Sequence, residues 1–471
     1  MTSPATAALA VVAALLVLGS STAEAKLSNV VTDWVNATQL NVATDGIPNQ
    51  LAARYYALTG LAMHQAIAQG GAPANALAAF AGHAVLSASF PARQPMWDML
   101  LRKQLMAVPA DQRQAANAVA VPLARAMLQQ RAADESTSLS DFKPAAPGTK
   151  FSYQFVPEQK FALYPQLADT TPLIVPQQQV DAVAYNKDAS AGPVFQPAKD
   201  DYAQTYELGS KASKTRKQYD TDSAFFWAAG ANTSGIAGAW LDIAREVLPQ
   251  DYSVADSALF FARAGAASYD ASIAGWKVKY STLHWRPITA FAQGAPGVPV
   301  AAAAAAAATT DWMPLLRTPP HPEYPSGHQA TVGAVLEVLL RTLNNKDSVT
   351  FTLTSESAPW LNRSYSSLTA AAQEVGDSRT FGGVHFPSAN ADGLKLGRII
   401  GGKVFDRIAA NKPAAVNMPS TFVSAACSGG ATVQQAATGA AAAAGAPAAP
   451  GSSSTGVKKL GLTINLGRRM A

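Results

Sequence analysis

One stretch near residue 330 commits its part of the chain to a helix. After Pro325-Ser326-Gly327-His328, the apolar residues Val332, Val335, Leu336, Leu339, Leu340 and Leu343 fall at i, i+3, i+4, i+7, i+8 and i+11. That spacing lays one stripe along an α-helix but would scatter over both faces of a strand. Pro325 suits the end of an extended entry, so Ser326 and Gly327 fall at the helix N-terminus. Free N–H groups and the helix dipole favour an anion there. Gly327 lets the backbone come close, having no Cβ. Helical spacing recurs at Leu259, Ala262, Ala266, Tyr269 and Ile273, and residues 27–135 read mostly as helix with breaks near Gly70-Gly71 and Pro109.

Cations and histidines gather on both sides of that helix start. Lys279-Tyr-Ser-Thr-Leu-His-Trp-Arg286-Pro287 lies upstream and Ser378-Arg379-Thr-Phe-Gly-Gly-Val-His385 downstream. With the middle block they supply Lys279, Arg286, Arg379, Ser326, Gly327, His328 and His385. This set can surround a tetrahedral oxyanion. The three cations answer its charge, the arginines in a bidentate fork. The Ser326 hydroxyl and the Gly327 N–H are compact donors. One histidine can attack or ligate the central atom while the other carries a proton.

The three blocks resemble the superfamily shared by vanadium-dependent haloperoxidases and type 2 phosphatidic acid phosphatases. The six residues between Lys279 and Arg286-Pro287, the five between Arg379 and His385, and the order of blocks all fit. The likeness runs over roughly residues 200–410, more faintly back to about residue 50, and includes Phe225-Phe-Trp-Ala-Ala-Gly230. It implies an all-α fold of two four-helix-bundle-like lobes in one body, on the chloroperoxidase-like branch. In the haloperoxidase form His385 bonds the vanadium of a vanadate cofactor. Lys279, Arg286, Arg379, Ser326 and the Gly327 N–H neutralise its oxygens, with Lys279 also polarising the bound oxidant. His328 is the base. Hydrogen peroxide and halide (bromide or iodide favoured) are the substrates, and a small organic acceptor takes the product. Trp276, one turn before Lys279, and His321, seven residues before His328, match the family's halide pocket. In the phosphatase form there is no cofactor: His385 attacks the phosphorus of a phosphate ester and His328 protonates the leaving alkoxide. A non-catalytic anion-binding protein is the third reading. Trp276, the His321-Pro-Glu-Tyr lead and an exported chain favour the peroxidase. Many relatives carry an Asp four residues after the last histidine; here Ala389 stands, which removes a partner for the site.

Residues 1–25 read as a secretory leader. The apolar run Ala7–Gly19 is short for a membrane span and Ala23-Glu24-Ala25 suits cleavage. A secreted protein of 471 − 25 = 446 residues is expected, an organelle lumen being the alternative. No later segment is long and apolar enough to span, so no membrane is expected after cleavage. From Asn411 the Ala, Gly, Ser and Pro composition predicts a disordered tail behind a body of residues 26–410. The single Cys427 excludes an intrachain disulfide. Lys+Arg exceed Asp+Glu by only 36 − 31 = 5, with no basic stripe for nucleic acid. Residues 136–200 read as a Pro-rich excursion over the helices, able to wall the site. His64 and His83 read as structural, Asp270 as a partner for a cation, His284 as a surface residue or a support for the site, and Ser210–Lys217 as a solvated face. A last helix over 391–410 is expected, capped by Asn390 or Ser388.

Overall fold

Residues 26–132, 134, 141–185, 199–296, 298 and 312–417 are described by the structure, a computed structural model. The leader, the alanines at 301–308 and Cys427 lie outside the described residues.

Among the described residues, five helices come first: α1 (Val30–Thr44), α2 (Asn49–Gln69), α3 (Ala74–Ser89), α4 (Gln94–Leu105) and α5 (Ala110–Ala132). Asn29 starts α1 through a capping box, its Oδ1 accepting from the Val31 and Thr32 amides while Thr32 Oγ1 accepts from the Asn29 amide. Pro109 ends the break before α5. His83 pairs with Asp98 at 2.8 Å and meets Trp34 edge-on, and His64 is buried in α2, so both are packing residues of this lobe.

Next come α6 (Gln177–Ala184), α7 (Lys199–Gly209), α8 (Gln218–Phe226), α9 (Gly235–Val247) and α10 (Val254–Thr282). The site-bearing half continues with α11 (Pro287–Ala292), α12 (Gly327–Thr342), α13 (Leu368–Phe381) and α14 (Pro387–Arg407). The all-α class holds. A small antiparallel hairpin, β1 (Phe351–Thr354) with β2 (Asn362–Tyr365), is an addition that the helical reading did not foresee. Phe351 and Leu353 point inward from it while Thr352 and Thr354 face out.

Helix α10 is the axis of the molecule. Nearly every residue from Ser257 to Lys279 is buried, and such a helix belongs in a core. It packs along α2 on one side and against α12 and α14 on the other, so the two expected lobes share it. Gly60 sets the α2 contact: a Cβ there would stand 2.6 Å from the Phe261 carbonyl oxygen. Ser253 caps its start. At its end Leu283 turns left-handed, at φ 49°, and swings His284, Trp285 and Arg286 across the helix end.

The Pro-rich excursion is bound to α10 by Asp270. Its carboxylate accepts from the amides of Leu173 (2.6 Å), Ile174 (3.0 Å) and Val175 (2.9 Å). The expected cation partner is thus replaced by three N–H groups. Burial pushes Asp270 up to about 6 against those bonds. Further along, the Leu163 carbonyl accepts from Trp276 and Tyr280, which walls one side of the site as expected.

Three local expectations change. Residues 210–217 are not merely a solvated face, because Arg216 donates to Leu208, Ser210 and Phe381 carbonyls and ties the turn to the end of α13. Helix α14 starts at Pro387 with no side-chain cap, and Asn390 instead donates to Thr380 Oγ1. Past α14 the chain stays anchored to residue 417, where Asn417 bonds Leu173 and Arg131. Among the described residues no helix is long and apolar enough to cross a membrane.

Candidate active site

The three sequence blocks meet at the end of α10. Lys279 lies in its last turn, Arg286 is the N-cap of α11, Ser326 is the N-cap of α12, Arg379 closes α13, and His385 follows the turn before α14. Gly383 makes that turn possible, with φ 70° and no room for a Cβ against the Gly209 carbonyl. Lys279, Arg286, Ser326, Arg379 and His385 are all buried.

Two of the anion donors have no protein acceptor. Ser326 Oγ is buried yet unbonded, although an N-cap serine ordinarily accepts from its own helix. Arg379 Nε and Nη1 are likewise buried and unpaired. Buried donors are nearly always paired, so these mark a place for a ligand. Gly327 lies beside them, where a Cβ would come 3.1 Å from the Trp276 ring and 3.8 Å from Lys279 Cε.

Arg286 is partly committed. Its Nε donates to the His321 carbonyl (2.8 Å), Nη1 to the Val384 carbonyl (2.6 Å), and Nη2 to His321 Nδ1 (2.9 Å). Nη1 also reaches His385 Nε2 at 3.3 Å. Lys279 is wholly committed: Nζ donates to the carbonyls of Pro322 (2.8 Å), Glu323 (2.9 Å) and Pro325 (2.5 Å). No N–H is left over for an oxyanion. The three protons of Lys279 hold the loop that carries Ser326, and it acts on an anion through its charge.

Burial and mutual repulsion lower the affinity of these cations for protons. Arg286 is brought down to about 10 by burial, against the pull of Glu323. Arg379 falls to about 9 through burial and then Arg286. Lys279 is pushed well below the ordinary lysine range by burial and then Arg286. His321, His328 and His385 all stay neutral at neutral pH, held down chiefly by burial and then by the neighbouring cations. Three cations near one carboxylate, Glu323, whose oxygens are spent on histidines and a backbone amide, leave a buried surplus of positive charge. An oxyanion would cancel it.

That carboxylate, Glu323, was missed by the sequence reading. Its Oε1 accepts from His385 Nδ1 (2.9 Å) and the Phe386 amide (3.0 Å), and its Oε2 from His284 Nδ1 (3.1 Å). The loss expected from Ala389 is therefore made good by a residue that leads to the middle block. His284 is buried against it, and is a support rather than a surface residue. His328 Nε2 lies 3.1 Å from the Ala228 carbonyl, within the Phe-Trp segment. Its Nδ1 is left as the basic nitrogen. The Trp276 ring packs at 4.9 Å from His321, and its indole N–H is spent on Leu163.

Residues 259–412 match the family model described as VCPO second helical-bundle domain. That match spans less than half of the chain, which over those residues resembles the vanadium haloperoxidases. The chain is 38% identical over 96 residues to vanadium chloroperoxidase of Curvularia inaequalis, 20% of this chain and 15% of that relative's length. A solved bacterial vanadium-dependent iodoperoxidase superposes with TM-score 0.65 at 19% identity, covering 85% of this chain and 100% of its own. A holo-type bacterial vanadium-dependent chloroperoxidase gives 0.59 at 15% identity, covering 82% and 98%. These two likenesses show a shared helical-bundle fold.

Proposed function

We propose that the chain is a vanadium-dependent haloperoxidase that uses hydrogen peroxide to oxidise bromide or iodide. The observation that carries this is the pair of orphaned donor groups, Ser326 Oγ and the Arg379 guanidinium, buried in a surplus of positive charge. Vanadate fits that donor set. Arg379, Ser326 and the Gly327 N–H would bind its oxygens, Arg286 and Lys279 would balance its charge, and His385 Nε2 would bond the metal. When bound it supplies a Lewis-acid centre at which peroxide is activated toward halide. His328, neutral with Nδ1 free, takes the proton of the incoming peroxide at that nitrogen. Trp276 and His321 wall the site where halide would enter. The names of the matched relatives support the cofactor and the reaction class. An exported setting, read from residues 1–25, belongs to the same proposal.

Phosphate has the same shape and charge, so one experiment must separate the readings. Purified chain reconstituted with orthovanadate is assayed for peroxide- and bromide-dependent halogenation of a dione dye reagent, with His385→Ala beside it. Vanadate-dependent activity lost in the variant supports the proposal. Aryl phosphate hydrolysis inhibited by vanadate, without halogenation, replaces it with an acid phosphatase using His385 as nucleophile. Neither activity leaves a non-catalytic anion-binding protein.

A further inference from the structure

Glu323 ties the first block of the site to the third. Its amide donates to the His284 carbonyl at 3.0 Å, its own carbonyl accepts from Lys279, and its carboxylate joins His284 to His385. The two nitrogens of His385 then face opposite chemistry. Nδ1 meets a carboxylate, which only accepts. Nε2 meets the Arg286 guanidinium, which only donates. One neutral tautomer satisfies both contacts: the proton sits on Nδ1 and the lone pair on Nε2. The second acceptor bond at Oε1, from the Phe386 amide, fixes the carboxylate to the backbone next to His385. The ring cannot turn over without breaking these contacts.

The geometry points to Glu323 as the positioning residue that holds His385 in its Nδ1–H tautomer, with Nε2 ready to ligate vanadium or attack phosphorus. This deepens the anion-site reading above and rests on it. It places in the residues that lead to the middle block a support that Ala389 cannot give. Glu323 acts through His385 and is not itself in contact with the anion. Carboxylate partners of this kind fix ring orientation and raise the basicity of the far nitrogen.

The test needs no turnover. The chain has six histidines, so selective ¹⁵N-histidine labelling gives a countable set of ring nitrogens, and His385→Gln identifies one pair. In the wild-type protein at neutral pH, His385 is expected to show a protonated Nδ1 and an unprotonated Nε2. Glu323→Ala is expected to lose that single pattern and to weaken orthovanadate binding, read by titration calorimetry, by about 10- to 100-fold. Glu323→Gln keeps an oxygen for the Phe386 amide and His385, so it is expected to retain the tautomer and recover part of the affinity. Should Glu323→Ala fail to fold, Glu323→Asp serves, because its carboxylate is one methylene short of Nδ1 and is expected to lose the pattern too. Wild-type tautomer and affinity within twofold in Glu323→Ala, or in Glu323→Asp, overturn the inference. A protein that binds vanadate with the tautomer in place yet does not halogenate defeats the haloperoxidase proposal and leaves this one standing.

Discussion

Helix α10 carries a buried charge near each end of its second half, and the two are handled in opposite ways. At Asp270 the account is closed, since three backbone amides fill the carboxylate and the excursion is pinned in place. At Lys279 it is open, since a lysine and two arginines are buried in one site and donors are left over at Arg379 and Ser326. Buried charge that builds structure finds its partners within the protein. Buried charge left unsatisfied destabilises the fold and is tolerated where a ligand completes it. The difference separates a structural carboxylate from a functional cation cluster without reference to any relative.

The contrast breaks most easily through single substitutions. His385→Ala should lower vanadate-dependent halogenation by at least about 10³-fold, the scale of removing a principal group of a preorganised site. Arg379→Ala should weaken orthovanadate binding by about 100-fold, as loss of a buried charge-assisted pair does. Thermal unfolding of ligand-free Arg379→Ala should nevertheless occur at or above the wild-type temperature, because an uncompensated buried cation has gone. Asp270→Ala should do the reverse, losing about 3 kcal/mol or more in urea unfolding by leaving three amides unpaired, while vanadate affinity in the folded protein changes little. If Arg379→Ala unfolds early, or Asp270→Ala abolishes vanadate binding, the division between the two ends is wrong. Ser326→Ala should cost about tenfold in vanadate affinity, one hydrogen bond to a charged group, at no cost in stability.

Most of this cluster could be read from the sequence because each block keeps its spacing within one turn or helix end. Ser326 and Gly327 follow from the apolar stripe of α12, and Arg379 to His385 from a single turn around Gly383. Glu323 could not be assigned that way. Its partners lie 39 and 62 residues away, in blocks 1 and 3. The available signal was a lone acidic residue between prolines in His321-Pro-Glu-Tyr-Pro. Sequence spacing groups Lys279 with the other cations but does not show that its ammonium group points at the carbonyls of Pro322, Glu323 and Pro325. Asp270 was read as structural, and only the fold shows that its partners are amides. The hairpin at 351–365 had the alternation of Phe351-Thr-Leu-Thr354, masked by the helical pattern on both sides.

The smallest expected effect is on acid stability, and the histidines around Lys279 and the carboxyl of Asp270 give it opposite signs. His321, His328 and His385 have folded-state values well below their ordinary 6.5, so below that pH the unfolded chain takes up protons that the folded chain refuses. Their contribution is present above pH 6.5 and is lost as pH falls. Asp270 moves the other way, from an ordinary 3.8 to about 6. Between those values the folded chain holds the extra proton, and stability is gained as pH falls. With three groups against one, the urea midpoint should decline from pH 7 to pH 5, and Asp270→Asn should steepen the decline while lowering the curve as a whole. Orthophosphate at millimolar concentration should raise the midpoint at pH 7, by binding the folded chain alone. It should do so in Asp270→Asn but not in Arg379→Ala, because the phosphate occupies the open end of the helix and leaves the closed end untouched.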